Sequence, residues 1–479
     1  MYGLGVNTLG VSNSGGNGGY TPPASGISSL SELFDSSEKG FWYDPSDSST
    51  VFSDIAGTTA ATIGGPVGKI NDKSGNNFHL TAHADNRRPT YARHPANGLK
   101  NIYQYNSQQI STSTGYTLLN TTSSSTSVSP PFGTDTVYNT AINSSGAGVA
   151  LASSAFLPDF ADNHYRLYVK RNGANSDECN GFLLQGWGTT NSLLVDLENE
   201  QVQIPSYSGG NAPVISLTSV GNGWYRLDMT QTGLSLTTSP QVVLQPVEFT
   251  DSSFTNTTSL TAGSGLYFFG MQHGEGTTFD TYQKVTSKYD VVQSGQSDIE
   301  YIKYEGSDAL GSDDINLASD NISVLVSSSK AEPDEDMFIC KTGNGNPLIE
   351  DNTFGLSYNT SGNNRIFASN SGTSASSTFI SDTALLTVPR VITLLTDISD
   401  DTLILRINKN ETNSSSNQGT YSSVAKDLNV GSKQYDTSGS LANGLEGNIY
   451  QIAGVDNQLT GNILTNAETL VGTKAGITI

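Results

Sequence analysis

Two tryptophans and a tyrosine are the residues best suited to recognising a ligand. Trp224 and Tyr225 sit in GNGWYRLDM, Gly221 to Met229, and Trp187 stands between glycines in QGWGTT. Flat aromatic rings pack well on the apolar faces of sugars, so each is a candidate carbohydrate platform. Trp187 has the setting of an exposed ring. Trp224 follows a turn and leads Tyr225, Leu227 and Met229, a place that suits a core ring better than a platform. A second set is acidic. Asp308, Asp313 and Asp314 fall in the Gly/Ser-rich EGSDALGSDD. Oxygen-rich loops hold calcium, which takes roughly six to eight oxygens. The spacing is not that of an EF-hand, and a solvated loop accounts for the same residues. His79 and His83 are four apart, as on one helical face, but their region reads as strand and loop and no zinc site is assigned. Glu332, Asp334, Glu335 and Asp336 read as a solvated edge or turn. A glycosidase needs two carboxylates roughly 5 to 10 Å apart, and no motif pairs any here. There is no GxSxG elbow, P-loop or HExxH. No catalytic residue is assigned and no enzyme is expected.

These residues must be positioned by strands. The chain has 479 residues with 50 glycines, 35% hydrophobic and 14% charged residues. Its Leu, Ile and Val occur in short runs separated by Ser, Thr, Asn and Gly, which favours many short strands joined by turns. In HYRLYVKRNG, His164 to Gly173, Tyr165, Leu167 and Val169 alternate with Arg166, Tyr168 and Lys170. That period of two is a half-buried strand. Further strands are expected at Ser192 to Leu197, Val214 to Ser219, Trp224 to Met229, Gln241 to Gln245 and Leu266 to Met271. Later ones are expected at Asn321 to Ser327, Arg390 to Thr396, Thr402 to Asn408 and Gly447 to Val455. Gly221-Asn222-Gly223 supplies a tight turn before Trp224. Asp72, Ser74, Gly75 and Asn76 supply another. Ala467 to Lys474 is the best helix candidate.

The formal charge, 23 − 45 = −22, repels nucleic acid and anionic membranes, so neither is an expected partner. No run of about twenty apolar residues reads as a membrane span. Cys179 and Cys340 are too few for a disulfide framework. The segment MYGLGVNTLGVSNSGGNGGY has neither the basic nor the apolar region of a secretory signal, so release by lysis is expected. Its Gly, Ser and Asn content suits a flexible arm that orders on a partner.

Two family resemblances follow from longer strings. SVGNGWYRLDM, YRLYVKRNG and the run from Tyr267 to Gly276 resemble the carbohydrate-binding-module-like jelly roll of phage tail and virion proteins. FWYDPSD, DKSGNNFHLTA and RRPTY, with YIKYEGSDALGSDD, LEGNIYQIAGVDNQLT and AETLVGTKAGITI, resemble a concanavalin A-like, laminin-G-like sandwich that is split in sequence. The resemblance implies an all-β chain of two β-sandwich domains with a flexible N-terminal arm. Residues 1–20 would be the anchoring arm, 101–293 the inserted jelly roll, and 21–100 with 294–479 one discontinuous sandwich.

By the same resemblance the chain is a phage virion component, fibre-like or tail-associated, displaying its lobes to host-surface glycans. It would assemble in the host cytoplasm. Its arm would dock on other virion proteins, and it would form a homo-oligomer. The alternative is a capsid decoration or cement protein without a glycan ligand; a polysaccharide depolymerase is less favoured. No cofactor is expected beyond the calcium considered above.

Overall fold

The computed structural model describes residues 26–101, 107, 117–119, 121–142, 149–153, 161–172, 179–185, 192–207, 210–233, 242–254, 256–257, 260–279, 281–317, 320–330, 337–342, 353–359, 365–371, 373–381, 388–415, 418–421, 425–432 and 444–479. The expected arm, residues 1–20, lies outside them, as does the acidic run 332–336.

The fold is all-β. Among the described residues the strands form sheets of ten, nine, seven and six strands. The ten-stranded sheet joins distant parts of the chain. Gly40–Tyr43 pairs antiparallel with Glu446–Val455, and Thr90–Pro95 with Asp298–Glu305. Asn321–Lys330 lies between Glu446–Val455 and Arg390–Asp397. The nine-stranded sheet does the same, placing Leu80–Ala82 beside Leu310–Ile315. One core fills the space between these two sheets. Phe41, Tyr91, Val324, Leu394 and Ile452 come from one side and Val51, Leu310, Phe354 and Leu428 from the other. Burying such side chains stabilises by roughly 1.5–3 kcal/mol each.

The outer face of the ten-stranded sheet is also buried. The helix Gly461–Lys474 and the short 3-10 turn Leu30–Phe34 pack there, bringing Ile463, Ala467, Leu30 and Leu33 against Leu325, Val391 and Leu395. Central strands covered on both sides read as continuous apolar runs, as NISVLV does. The helix begins earlier than its Ala467 to Lys474 core suggests. Glu468, fully buried, takes a two-pronged contact from Arg406 at 2.7 and 3.1 Å. No helix among the described residues is long and apolar enough to cross a membrane.

The six- and seven-stranded sheets face each other across a second core of Leu167, Val169, Phe182, Leu193, Leu227, Met229 and Phe268. Their strands all lie between residues 117 and 275. The ribbon Gln283–Ser287 and Asp290–Gln293, inside the expected insert, belongs to the ten-stranded sheet through the bridge of Asp290 to Arg93. Its Val285 and Val291 nevertheless pack into the second core. A side-chain amide network joins the two parts. Gln283 Oε1 accepts from the backbone N–H of Lys100 and Asn101 at 2.7 and 3.0 Å. Asn101 Nδ2 donates to the carbonyls of Met271 and Gln283 at 3.1 and 2.8 Å.

Candidate functional site

The site is built on the outer face of the six-stranded sheet. Asn163–Arg171 is central there, between Trp224–Gln231 and Gly265–Glu275. Side chains alternate across a strand. Leu167 and Val169 enter the core, so Arg166 and Tyr168 face out. Leu227 and Met229 enter the core, so Trp224, Arg226 and Asp228 face out. The register sets Asp228 beside Arg166 and Arg226 beside Tyr168.

Gly265–Glu275 needs a further device. Arg166 pairs with Gln272, but Tyr168 pairs with Phe269, so the strand carries a bulge between them. The extra residue puts Phe269 and Gln272, three apart, on the same side. Gly270 accommodates it with φ +64°, and a Cβ there would sit 3.0 Å from the Tyr168 ring.

The face is polar in the middle and aromatic at both ends. Arg166 grips the buried Asp228 carboxylate with two contacts, at 2.6 and 3.3 Å. Arg226 Nε approaches the other side of that carboxylate at 2.8 Å, though its N–H is not aligned for a hydrogen bond. Gln272, also buried, has no partner for either amide atom among the described residues. At one end Trp224, Tyr168, Phe269 and Val137 pack under Phe132 and Val128, and the Trp224 indole N–H donates to the Ser129 carbonyl at 3.0 Å. At the other end the Phe279 ring lies 4.7 Å from the Arg166 guanidinium. Arg226 remains one-third exposed, beside exposed Ser216 and Thr218 of the neighbouring strand. Burial pushes the Tyr168 hydroxyl upward from its usual pKa, opposed by Arg166 and Arg226.

This arrangement holds one partly exposed guanidinium, Arg226, on a strand platform, with the buried Asp228 carboxylate fixing it from below. Adjacent sugar hydroxyls can accept hydrogen bonds from such a guanidinium, and a charged donor makes those bonds stronger than neutral ones.

Two of the three aromatic candidates can be placed. Trp187 lies outside the described residues. Trp224 is on the right face but fully buried under the 128–132 segment, so it supports the platform and offers no stacking surface. Tyr225, its neighbour, points to the opposite face. It packs against the inner core, and its hydroxyl donates to Glu200 at 3.2 Å. Sequence reasoning missed Arg166, Arg226, Asp228 and Gln272 as a set. The alternation in YRLYVKR and WYRLDM carried the signal for the first three.

The acidic candidates do not share a loop. Leu310–Ile315 is a strand with a bulge between Ser312 and Ile315, so Asp313 and Asp314 lie within a sheet. Asp313 is exposed, and the Asp314 side chain lies outside the described residues. Asp308 is buried and accepts from the Glu305 N–H at 2.8 Å; burial pushes its pKa up to about 6. Among the described residues no group of three or more His, Cys, Asp and Glu side chains is arranged to hold a metal ion. His79 accepts from the Asp72 N–H, and His94 lies buried beside Tyr301 and Tyr450. Cys179 and Cys340 are buried free thiols, both pushed up to about 12 by burial.

No protein-family model matches the chain, and no curated protein matches it. Solved structures give partial likenesses. The carbohydrate-binding module CBM40 of the Ruminococcus gnavus IT-sialidase, bound to alpha2,3 sialyllactose, is 14% identical over 30% of this chain and 82% of that one, with a TM-score of 0.26. Domains LG4-5 of the mouse laminin alpha1 chain are 10% identical over 67% of this chain and 89% of that one, TM-score 0.26. The enzymatically active domain of bacteriophage CBA120 tailspike protein 2 is 14% identical over 36% of this chain and 27% of that one, TM-score 0.25. At these scores the likenesses carry no argument about this chain.

Proposed function

We propose that this chain is a structural and adhesive component of a bacteriophage particle, released by lysis, whose inserted lobe binds host-surface glycans without cleaving them. The single observation that supports glycan binding best is the Arg166–Asp228–Arg226 set, rigid and partly open on a sheet face. The phage assignment rests on the strings SVGNGWYRLDM and YRLYVKRNG and on their resemblance to virion jelly rolls. One sandwich lobe then connects to the particle while the other meets the cell. Weak contacts at single sites add through multivalent display. The test is binding of the whole chain to surface polysaccharides of candidate hosts. The native chain is expected to bind one class and leave its length unchanged, and Arg226→Ala to weaken binding at least tenfold. Equal binding by the variant removes the assignment of the site. Shortened polysaccharide makes the protein a depolymerase. Absence of binding to any host polysaccharide favours the reading as a capsid decoration protein.

A further inference from the structure

The outer face of the six-stranded sheet is basic within an acidic lobe. Between residues 117 and 275 the sequence has four basic and twelve acidic residues, 4 − 12 = −8. Strand alternation puts three of those four, Arg166, Lys170 and Arg226, on this one face, since Leu167, Val169 and Leu227 enter the core. Arg226 lies opposite Tyr168, and Lys170 lies opposite Trp224, the next outward position along the same pair of strands. Asp228 is the one acid that the described strands of this sheet place beside them. The face therefore carries 3 − 1 = +2. The chain's −22 does not cancel this at contact range, because salt screens exposed charges beyond about 8 Å.

The surplus charge sits where a ligand can reach it. Arg166 and Asp228 already form a neutral buried pair. Arg226 is a second guanidinium against the same carboxylate, at 2.8 Å, and two guanidinia sharing one acid repel each other. Another anion at Arg226 relieves that repulsion. Arg226 turns its Nε side to Asp228 and keeps one-third of its side chain exposed. Its Nη donors are therefore the ones that can meet a second carboxylate in a two-pronged contact. Lys170 donates to a neutral acceptor, the Asn222 carbonyl, at 2.7 Å, so its charge also adds to the face. On the other side of Arg226 the edge strand presents exposed hydroxyls. Thr218 lies opposite Arg226, and Ser216 lies opposite Asp228.

We infer that the glycan taken by this face carries a carboxylate, as a uronic acid does, and that Arg226 selects it. The inference rests on the glycan reading of this face and adds the class of sugar. The sugar carboxylate meets the Nη donors of Arg226, with Lys170 adding charge from one side. Ring hydroxyls of the same sugar pair with Thr218 and Ser216 on the other, since a hydroxyl both donates and accepts. A neutral sugar can use those hydroxyls but leaves the surplus guanidinium unmatched. Arginine suits the role better than lysine, because its planar fork fits two carboxylate oxygens at once.

Nuclear magnetic resonance of the full chain, labelled on its arginine nitrogens and titrated with glucuronate, glucose or acetate, tests this. The Arg226 side-chain signal is identified by its loss in Arg226→Lys. Glucuronate is expected to move that signal along a saturating curve, with Kd at least tenfold below those of glucose and acetate. Arg226→Gln is expected to raise the glucuronate Kd at least tenfold, read from the sugar's own signals. Arg226→Lys keeps the charge without the fork and is expected to fall between. Arg166 still holds Asp228 in both variants, so folding survives, as circular dichroism checks. Glucose binding as tightly as glucuronate overturns the acidic class and leaves a glycan site standing. Acetate binding as tightly makes this a bare anion site and overturns it too. So does glucuronate that leaves the Arg226 signal in place, or that binds Arg226→Gln like the native chain. A chain that takes none of the three overturns the inference; whether it still binds host polysaccharide decides the glycan reading separately.

Discussion

Asp228 is the residue on which the sheet face depends. It is buried, and its carboxylate is shared by Arg166 at 2.6 Å and Arg226 at 2.8 Å. Breaking a buried pair by removing one partner costs about 3–5 kcal/mol, because a charge is left unpaired. Asp228→Ala is therefore expected to destabilise the lobe by roughly 3 kcal/mol in denaturant unfolding; a loss within experimental error would show the contacts to be loose. His273 is a second residue with a measurable signature. Its ring stacks on Tyr165 at 4.4 Å, with Nε2 2.9 Å from Asn163 Oδ1. Burial, and then His164, push its pKa down to about 3 from the ordinary 6.5. The unfolded chain takes up a proton below pH 6.5 and the folded lobe does not. The stability from this group is full above pH 6.5 and falls as pH drops toward 3. At pH 5 the loss is about 2 kcal/mol. His273→Gln is expected to lose that part of the pH dependence when unfolding is compared at pH 7.5 and 5. A variant with the native slope would assign the acid sensitivity elsewhere. Neither residue stood out in the sequence. A lone histidine in FFGMQHGEG and an aspartate in a strand gain their meaning from cross-strand partners that only register supplies.

At the scale of elements, two local devices shape the site, and they differed in how far they could be read. The Gly221-Asn222-Gly223 turn was legible. Its three residues have φ of +90, +53 and +76°, and Gly221 pairs with Trp224 across the hairpin. The alternation of YRLYVKR and WYRLDM likewise showed which side chains share a face. The bulge at Gly270 was not legible, because a bulge is a mismatch between two strands and is invisible in either one alone. Gly270→Ala is expected to cost roughly 1–2 kcal/mol for the left-handed backbone, more if Tyr168 cannot yield. It is also expected to weaken glycan binding by displacing Phe269 and Gln272. Unchanged Tm and binding would show that the bulge does not set the face. The burial of Trp224 was hidden for a related reason. Its cover, Val128 to Phe132, comes from almost a hundred residues earlier.

For the whole molecule, the governing feature is that chain segments hundreds of residues apart share sheets. Trp42 pairs with Ala453 and Tyr301 with Ala92. The split pattern of FWYDPSD near the start and GNIYQIAGV near the end made this architecture readable. The amide network at Asn101 and Gln283 was not, since Asn and Gln carry no periodic signal. Because residues 101 and 283 meet there, a chain in which a short Gly/Ser linker joins 26–101 to 283–479 is expected to fold cooperatively as an all-β protein. Val285 and Val291 would lose their core contacts, so some loss of stability is expected. A chain without a cooperative transition would make the two parts one folding unit.

The most direct test of the central claim is hydrogen exchange of the intact protein with and without surface polysaccharide of a candidate host. Added protection is predicted in Asn163–Arg171, Val214–Gly221 and Trp224–Gln231, and it is predicted to vanish in Arg226→Ala. Protection confined to other segments, or persisting in the variant, would contradict a glycan site on the outer face of the six-stranded sheet.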